Sequence, residues 1–106
     1  MDLKDAAAQL ESLGNPTRLE IYRILVRAGD PGLPVGSLQK RLGIAASTLS
    51  HHLRSLKETG LVSQERRSTV LICRANYPAM DALVAFLSSE CCVEAEQNCQ
   101  EECAAA

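Results

Sequence analysis

The sequence contains no run of about 18 apolar residues, so we expect no helix that crosses a membrane. It also opens without a basic segment followed by an apolar one, so we expect no secretory signal. These absences predict a cytosolic protein, in which thiols usually stay reduced. The five cysteines are an odd number, which fits a disulfide framework poorly. Clustered cysteines in such a chain are more often metal-binding or reactive than structural.

Basic and acidic residues are unevenly distributed along the 106 residues, although the net charge is only −2. From Lys40 to Arg74 there are seven basic and two acidic residues, a net charge of +5. Residues 88–106 contain five glutamates and no lysine or arginine, a net charge of −5. A basic middle and an acidic end predict two different ligands, with nucleic acid as the first.

Helical periodicity dominates the first 60 residues. Leu3, Leu10 and Leu13, with the alanines between them, predict a short amphipathic first helix. Asn15 is a good N-cap and Pro16 suits the first position of a second helix. A third helix, in PVGSLQKRLG, ends at a glycine. A fourth helix follows in STLSHHLRSLKETG.

The apolar period changes after residue 60. The runs LVSQER and TVLICR are rich in residues that favour strands, and a short polar turn joins them, so they predict a β-hairpin. Asn76, Tyr77 and Pro78 begin a last helix with an apolar stripe. The predicted fold is therefore mainly α with a hairpin wing, in the order α1-α2-α3-α4-β1-β2-α5. We expect a winged helix-turn-helix domain over residues 1–90 and a cysteine-rich acidic effector tail over residues 91–106.

The fourth helix has one apolar and one polar face. At about 100° per residue, the side chains of Leu49, Leu53 and Leu56 fall together and should be buried. Ser55 falls on the opposite side, and His52 lands near the rim of the buried stripe. Hydroxyls and a guanidinium can bond to bases or phosphates in the major groove, although a solvated helix face is the simpler alternative. The candidate DNA contacts are Ser47, Thr48, Ser50, His51 and Arg54, with Arg66 and Arg67 near the hairpin tip for backbone phosphates.

The segments GNPTRLEIYRIL and STLSHHLRSLKETGLV, with the following hairpin, resemble the ArsR/SmtB-type family of winged-helix metal-responsive repressors. The resemblance covers roughly residues 8–90. It implies a homodimer in which the first and last helices form much of the interface. It also implies operator DNA as the partner, released when an effector ion binds. No enzyme is expected, and no organic cofactor.

Three effector sites known in this family can be compared with the sequence. The third helix contains no cysteine, so one arsenic-responsive site is absent. Asp81 could match one ligand of a zinc-type site, but no histidine follows His52. The segment CCVEAEQNC, residues 91–99, resembles a third site, in which an adjacent cysteine pair and a later cysteine bind arsenite.

The chemistry of thiolates agrees with this resemblance. Soft thiolates favour thiophilic ions, and trivalent arsenic or antimony takes three sulfurs. The predicted ligands are Cys91, Cys92 and Cys99, with Cys103 as the competitor for the third position. Four cysteines could instead hold zinc or cadmium, and oxidation to disulfides would make the segment a redox switch. Cys91 could also be a small buried residue that continues the apolar stripe of the last helix. Cys73, in the second strand, is expected to be a packed thiol.

The spacing of the later cysteines constrains the tail. In a continuous helix Cys92 and Cys99 would be about 10 Å apart along the axis, too far to share one ion. We therefore expect the segment between them to loop back when an ion is bound.

Overall fold

A computed structural model describes residues 1–95 of the chain and contains, within them, five α-helices and one three-stranded antiparallel sheet. The helices are α1 (Leu3–Leu13), α2 (Pro16–Ala28), α3 (Val35–Leu42), α4 (Ala46–Glu58) and α5 (Tyr77–Ser88). The strands are β1 (Leu33–Pro34), β2 (Val62–Arg67) and β3 (Val70–Ala75). The predicted winged helix-turn-helix fold is confirmed, with one strand more than expected.

The helix ends are formed by the residues that the sequence indicates. The Asn15 side-chain oxygen accepts hydrogen bonds from the backbone N–H groups of Thr17 and Arg18, and Pro16 occupies the first turn of α2. Asn76 caps α5 in the same way. Gly43 ends α3 with a left-handed φ of 65°. Local sequence therefore determines where these helices begin and end.

A single hydrophobic core lies between α2, α3, α4 and the sheet. Leu49, Leu53 and Leu56 of α4 are all buried in it, as their spacing predicts. The fully buried side chains of the other elements include Ile21, Leu25, Leu38 and Leu61. Burial of this leucine face fixes the rotation of α4 about its own axis. The other faces of α4 are therefore left for a ligand.

The sheet has the strand order β1-β3-β2, and β1 was not predicted. Its two residues, Leu33 and Pro34, pair with Cys73 and Ile72 of β3. The preceding Gly32 has a φ of +69°, and a Cβ there would lie 2.5 Å from the carbonyl oxygen of Cys73. Glycine is therefore required for this close approach. A two-residue strand has too short a pattern to be recognised in the sequence.

Helix α1 buries a face of small and polar side chains. Ala6, Gln9 and Ser12 are buried, whereas Leu3 is 72% exposed and Leu10 42% exposed. The small and polar face packs because it makes specific bonds to α4: the Gln9 amide nitrogen donates to the carbonyl oxygen of Thr59 at 2.9 Å. Leu3 and Leu10 therefore face solvent in the single chain, whereas Leu13 is partly buried against the core.

Helix α5 also exposes apolar side chains. Leu83 is buried, but Val84 is 60% exposed and Leu87 is 59% exposed. Helices α1 and α5 are in contact, and both present aliphatic side chains to solvent. We call Leu3, Leu10, Val84 and Leu87 the α1/α5 apolar face.

Candidate DNA-binding surface and thiol segment

All five candidate contacts on α4 are exposed, and the leucine face behind them is buried. Helix α4 begins at Ala46, so Ser47 and Thr48 lie in its first turn. His51 and Arg54 follow one and two turns later. The candidate contacts are Ser47, Thr48, Ser50, His51 and Arg54. This arrangement allows hydroxyl, imidazole and guanidinium donors to enter a groove of DNA together.

Two other polar residues of α4 serve the fold instead. Ser55, which rotation alone assigns to the polar side, is half-buried because α1 covers it, and its hydroxyl lies 3.1 Å from that of Ser12. His52 is half-buried, and its Nδ1 has no hydrogen-bond partner within residues 1–95. Burial, followed by the nearby charges of Arg18 and His51, lowers the pKa of His52. The position of His52 at the rim of the buried stripe, as expected from the helical rotation, therefore agrees with the structure.

A groove of about 210 Å³ separates α4 from the hairpin. Ser50, Arg54 and Lys57 line its helix side, and Gln64 and Leu71 line its sheet side. Lys57 was not among the DNA contacts expected from the sequence. Its position beside Arg54 adds a second cation to the wall of the groove, which makes it a candidate phosphate contact.

Arg66 and Arg67 lie on opposite faces of the hairpin. Arg66 pairs in register with Leu71, and Arg67 with Val70, on either side of a turn in which Ser68 has a φ of 58°. Arg66 therefore shares the face of the groove residues, since successive strand residues point to opposite sides. Arg67 shares the outer face with Glu65, and its Nε lies 3.4 Å from a Glu65 carboxylate oxygen.

The adjacent cysteines lie just beyond α5, which ends at Ser88. Glu90 and Cys92 both adopt left-handed φ angles, 59° and 64°, so the chain turns sharply on each side of Cys91. The sulfur atoms of Cys91 and Cys92 are 3.4 Å apart. Cys91 is exposed, so the alternative of a buried side chain continuing the α5 stripe is wrong.

The rest of the predicted ion site is not covered by the structure. Cys99 and Cys103 lie outside the described residues. Within residues 1–95 no three or more His, Cys, Asp or Glu side chains are grouped as an ion site. Cys92 is disulfide-bonded in the structure. Cys73 is buried in β3, 3.4 Å from the Gln64 amide nitrogen, and burial raises the pKa of its thiol, as expected of a packed residue.

These features define the class of the protein. A recognition helix with a buried leucine face and an exposed polar face, followed by a basic hairpin, is the arrangement of a winged helix-turn-helix DNA-binding protein. A family model described as a helix-turn-helix domain matches residues 13–65. The chain belongs to the ArsR family of winged helix-turn-helix transcriptional regulators, which are DNA-binding proteins rather than enzymes.

Similar proteins support this assignment. The HTH-type transcriptional regulator YgaV of Escherichia coli is 32% identical over 89 residues, which cover 84% of this chain and 88% of YgaV. The transcriptional repressor BigR of Xylella fastidiosa has a crystal structure that is 31% identical, with a TM-score of 0.64, over 81% of this chain and 85% of that one.

A third similar protein bears on assembly. The DNA-binding domain of Mb0332 from Mycobacterium bovis, a possible ArsR-family regulator, is described as homodimeric in solution. It is 28% identical, with a TM-score of 0.65, over 83% of this chain and 82% of that one. Within residues 1–95 of the present chain, no helix is both long and apolar enough to span a bilayer.

Proposed function

We propose that the chain is a homodimeric transcriptional repressor that releases operator DNA when trivalent arsenic or antimony binds its C-terminal thiols. The observation that carries this proposal is the position of Cys91 and Cys92. Their sulfurs lie 3.4 Å apart, three and four residues after the end of α5. An ion held there would act directly on the end of a helix that exposes apolar side chains.

The DNA-binding part of the proposal rests on α4 and the hairpin. The exposed donors of α4 would read base edges, while Lys57 and the wing arginines Arg66 and Arg67 would contact phosphates. A dimer would bring two such helices to two half-sites about one helical turn apart, on a palindromic operator. The similar repressor BigR supports repression as the direction of control.

The α1/α5 apolar face supplies the dimer surface of this proposal. Aliphatic side chains that are 42% to 72% exposed gain free energy when a second copy covers them. The homodimeric Mb0332 domain supports the same assembly. A C2 interface would place both α5 ends, and both cysteine pairs, at the edge of the contact between protomers.

The thiol chemistry favours a trivalent metalloid. Two neighbouring sulfurs can share one ion, and Cys99 or Cys103 would supply the third. Arsenous acid is neutral and exchanges hydroxyl groups for thiols with release of water, so binding requires no net loss of protons. Zinc or cadmium would instead have to displace the protons of the thiols that bind it. This difference favours arsenite over the divalent ions.

The coupling would pass through the end of α5. Glu90 and Cys92 adopt left-handed backbone angles that non-glycine residues reach at a cost, so a rearrangement of this turn would relieve strain. Binding an ion there would change the exit of the chain from α5 and the packing of the dimer. Coupling free energies between two sites are typically about 1–3 kcal/mol, a 5- to 150-fold change in DNA affinity.

The experiment is operator binding by fluorescence anisotropy, with and without arsenite, under reducing conditions. Wild-type protein should lose DNA affinity in arsenite, and Cys92→Ser should bind the operator normally but ignore arsenite. Cys73→Ala removes a buried thiol elsewhere and is the matched control, so it should still respond. Normal arsenite release by Cys92→Ser would refute the ligand assignment.

A second candidate, a thiol-redox switch on the same scaffold, is favoured by the disulfide at Cys92. In that case oxidation, rather than an ion, would alter the end of α5 and release DNA. Peroxide without arsenite would then release the operator, and a reductant would restore binding. Parallel titrations with zinc and cadmium complete the comparison, since release by either ion alone would identify a divalent-metal sensor.

A further inference from the structure

Glu65 occupies the centre of a charged cluster on the outer face of the hairpin. One carboxylate oxygen accepts a hydrogen bond from the Arg74 Nη1 at 2.7 Å, and the other lies 3.4 Å from the Arg67 Nε. Arg74 is a diagonal neighbour of Glu65 across the two strands, and Arg67 is two residues along β2 on the same face. One carboxylate thus contacts two guanidinium groups.

The cluster is anchored at one end and open at the other. The Arg74 Nε also donates to the carbonyl oxygen of Asp30 at 2.8 Å, and its side chain is only 24% exposed. Arg67 has no such second bond among the described residues, and its side chain is 65% exposed. Arg74 therefore holds Glu65 in place, and Glu65 in turn holds the freer arginine next to the wing tip.

The Arg67 guanidinium, which contacts a carboxylate here, could contact a DNA phosphate instead. Guanidinium groups bind carboxylates and phosphates through the same planar set of N–H donors. The Glu65 carboxylate consequently competes with DNA for Arg67. It also brings a negative charge to a surface that would approach the phosphate backbone. The hydrogen bond from Arg74, followed by that from Arg67, lowers the pKa of Glu65, so this carboxylate is ionised at neutral pH.

We propose that Glu65 is an intramolecular competitor for DNA phosphate, which occupies Arg67 in the free protein and thereby limits sequence-independent DNA affinity. The inference rests on the proposed binding of DNA by the wing and deepens it. The consequence is a repressor whose operator affinity depends more on α4, because one backbone contact of the wing is weakened for every DNA sequence alike.

The test is Glu65→Gln, which keeps the shape and removes the charge. Its affinity for both operator and random duplex DNA should rise at low salt, with the ratio between them unchanged. One additional phosphate contact should steepen the slope of log K against log salt by about 0.9, so the gain over wild type should shrink about 3.5-fold between 50 and 200 mM salt. Glu11→Gln makes the same change of net charge on α1, far along the chain from the wing, and should alter neither quantity.

Two further variants make the outcome decisive. In an Arg67→Gln background, Glu65→Gln should raise DNA affinity much less, because no Arg67 guanidinium is left for the substitution to release. Circular dichroism and thermal unfolding would verify that each variant is folded. Unchanged or weaker DNA binding by folded Glu65→Gln, or a full gain without Arg67, would overturn the inference. Failure of the wild-type protein to bind any duplex would instead contradict the proposed function itself.

Discussion

Replacing Leu87 by alanine tests whether the exposed side of α5 is a dimer interface. The substitution removes three side-chain carbons, worth about 2.4 kcal/mol if fully buried. Since 59% of Leu87 is exposed in the single chain, a partner could add at most about 1.4 kcal/mol of this per protomer. Because the substitution occurs in both protomers of a twofold dimer, the free energy of dimerisation should weaken by up to about 3 kcal/mol. The dimer dissociation constant should then rise roughly a hundredfold.

Sedimentation equilibrium over a range of protein concentrations measures this change directly. Val70→Ala, at a position 42% exposed near the wing tip, is the control and should leave the dimer dissociation constant unchanged. Operator affinity of Leu87→Ala should fall at concentrations where the protein is monomeric and recover at higher ones. A change of less than about threefold in the dimer dissociation constant would refute the assignment of the α1/α5 apolar face as the dimer interface.

Three further predictions concern the core, the acid side of the stability curve and the DNA surface. Leu49→Ala empties a fully buried site, so urea unfolding should show a loss of about 2–5 kcal/mol. The pKa of His52 is lowered by folding, so the unfolded chain binds its proton first. The thermal midpoint of unfolding should therefore fall as pH drops below about 6.5. In His52→Asn the midpoint should fall less over the same pH range. Arg54→Ala should cost about 1–3 kcal/mol on the operator and less on random DNA if Arg54 reads a base. Lys57→Ala should weaken both by similar factors.

Local patterns in the sequence were sufficient for most of the fold. The caps at Asn15 and Asn76 and the glycine at position 43 depend on a few neighbouring residues, so their positions were predictable. The leucine spacing of α4 predicted its buried face for the same reason. The exposure of the five DNA-contact candidates followed from that rotation, although their contacts with DNA remain a prediction.

Features that depend on contacts distant in sequence were not predictable. Strand β1 exists because Gly32 allows a close approach to β3, 41 residues later in the chain. Ser55 is covered by α1 and bonds to Ser12, which no rotation of α4 alone can reveal. The exposure of Leu3 and Leu10 on α1 was not predictable either, because hydrophobic periodicity does not distinguish burial within one chain from burial against a second.

The wing shows the same limit at the level of charge. Sequence reasoning grouped Arg66 and Arg67 as equivalent phosphate contacts. Strand register separates them onto two faces, and only the fold brings Glu65 and Arg74 to the same face as Arg67. The turn after α5 was likewise unexpected, because the sequence around Glu90 and Cys92 contains no glycine that would predict left-handed backbone angles.

The most direct test of the central claim is an arsenite titration of the reduced wild-type protein on labelled operator DNA. The account predicts that operator affinity falls by about 5- to 150-fold as arsenite saturates one site per protomer, and that excess competing dithiol reverses the change. Operator affinity that stays constant at saturating arsenite, with all thiols shown to be reduced, would contradict it.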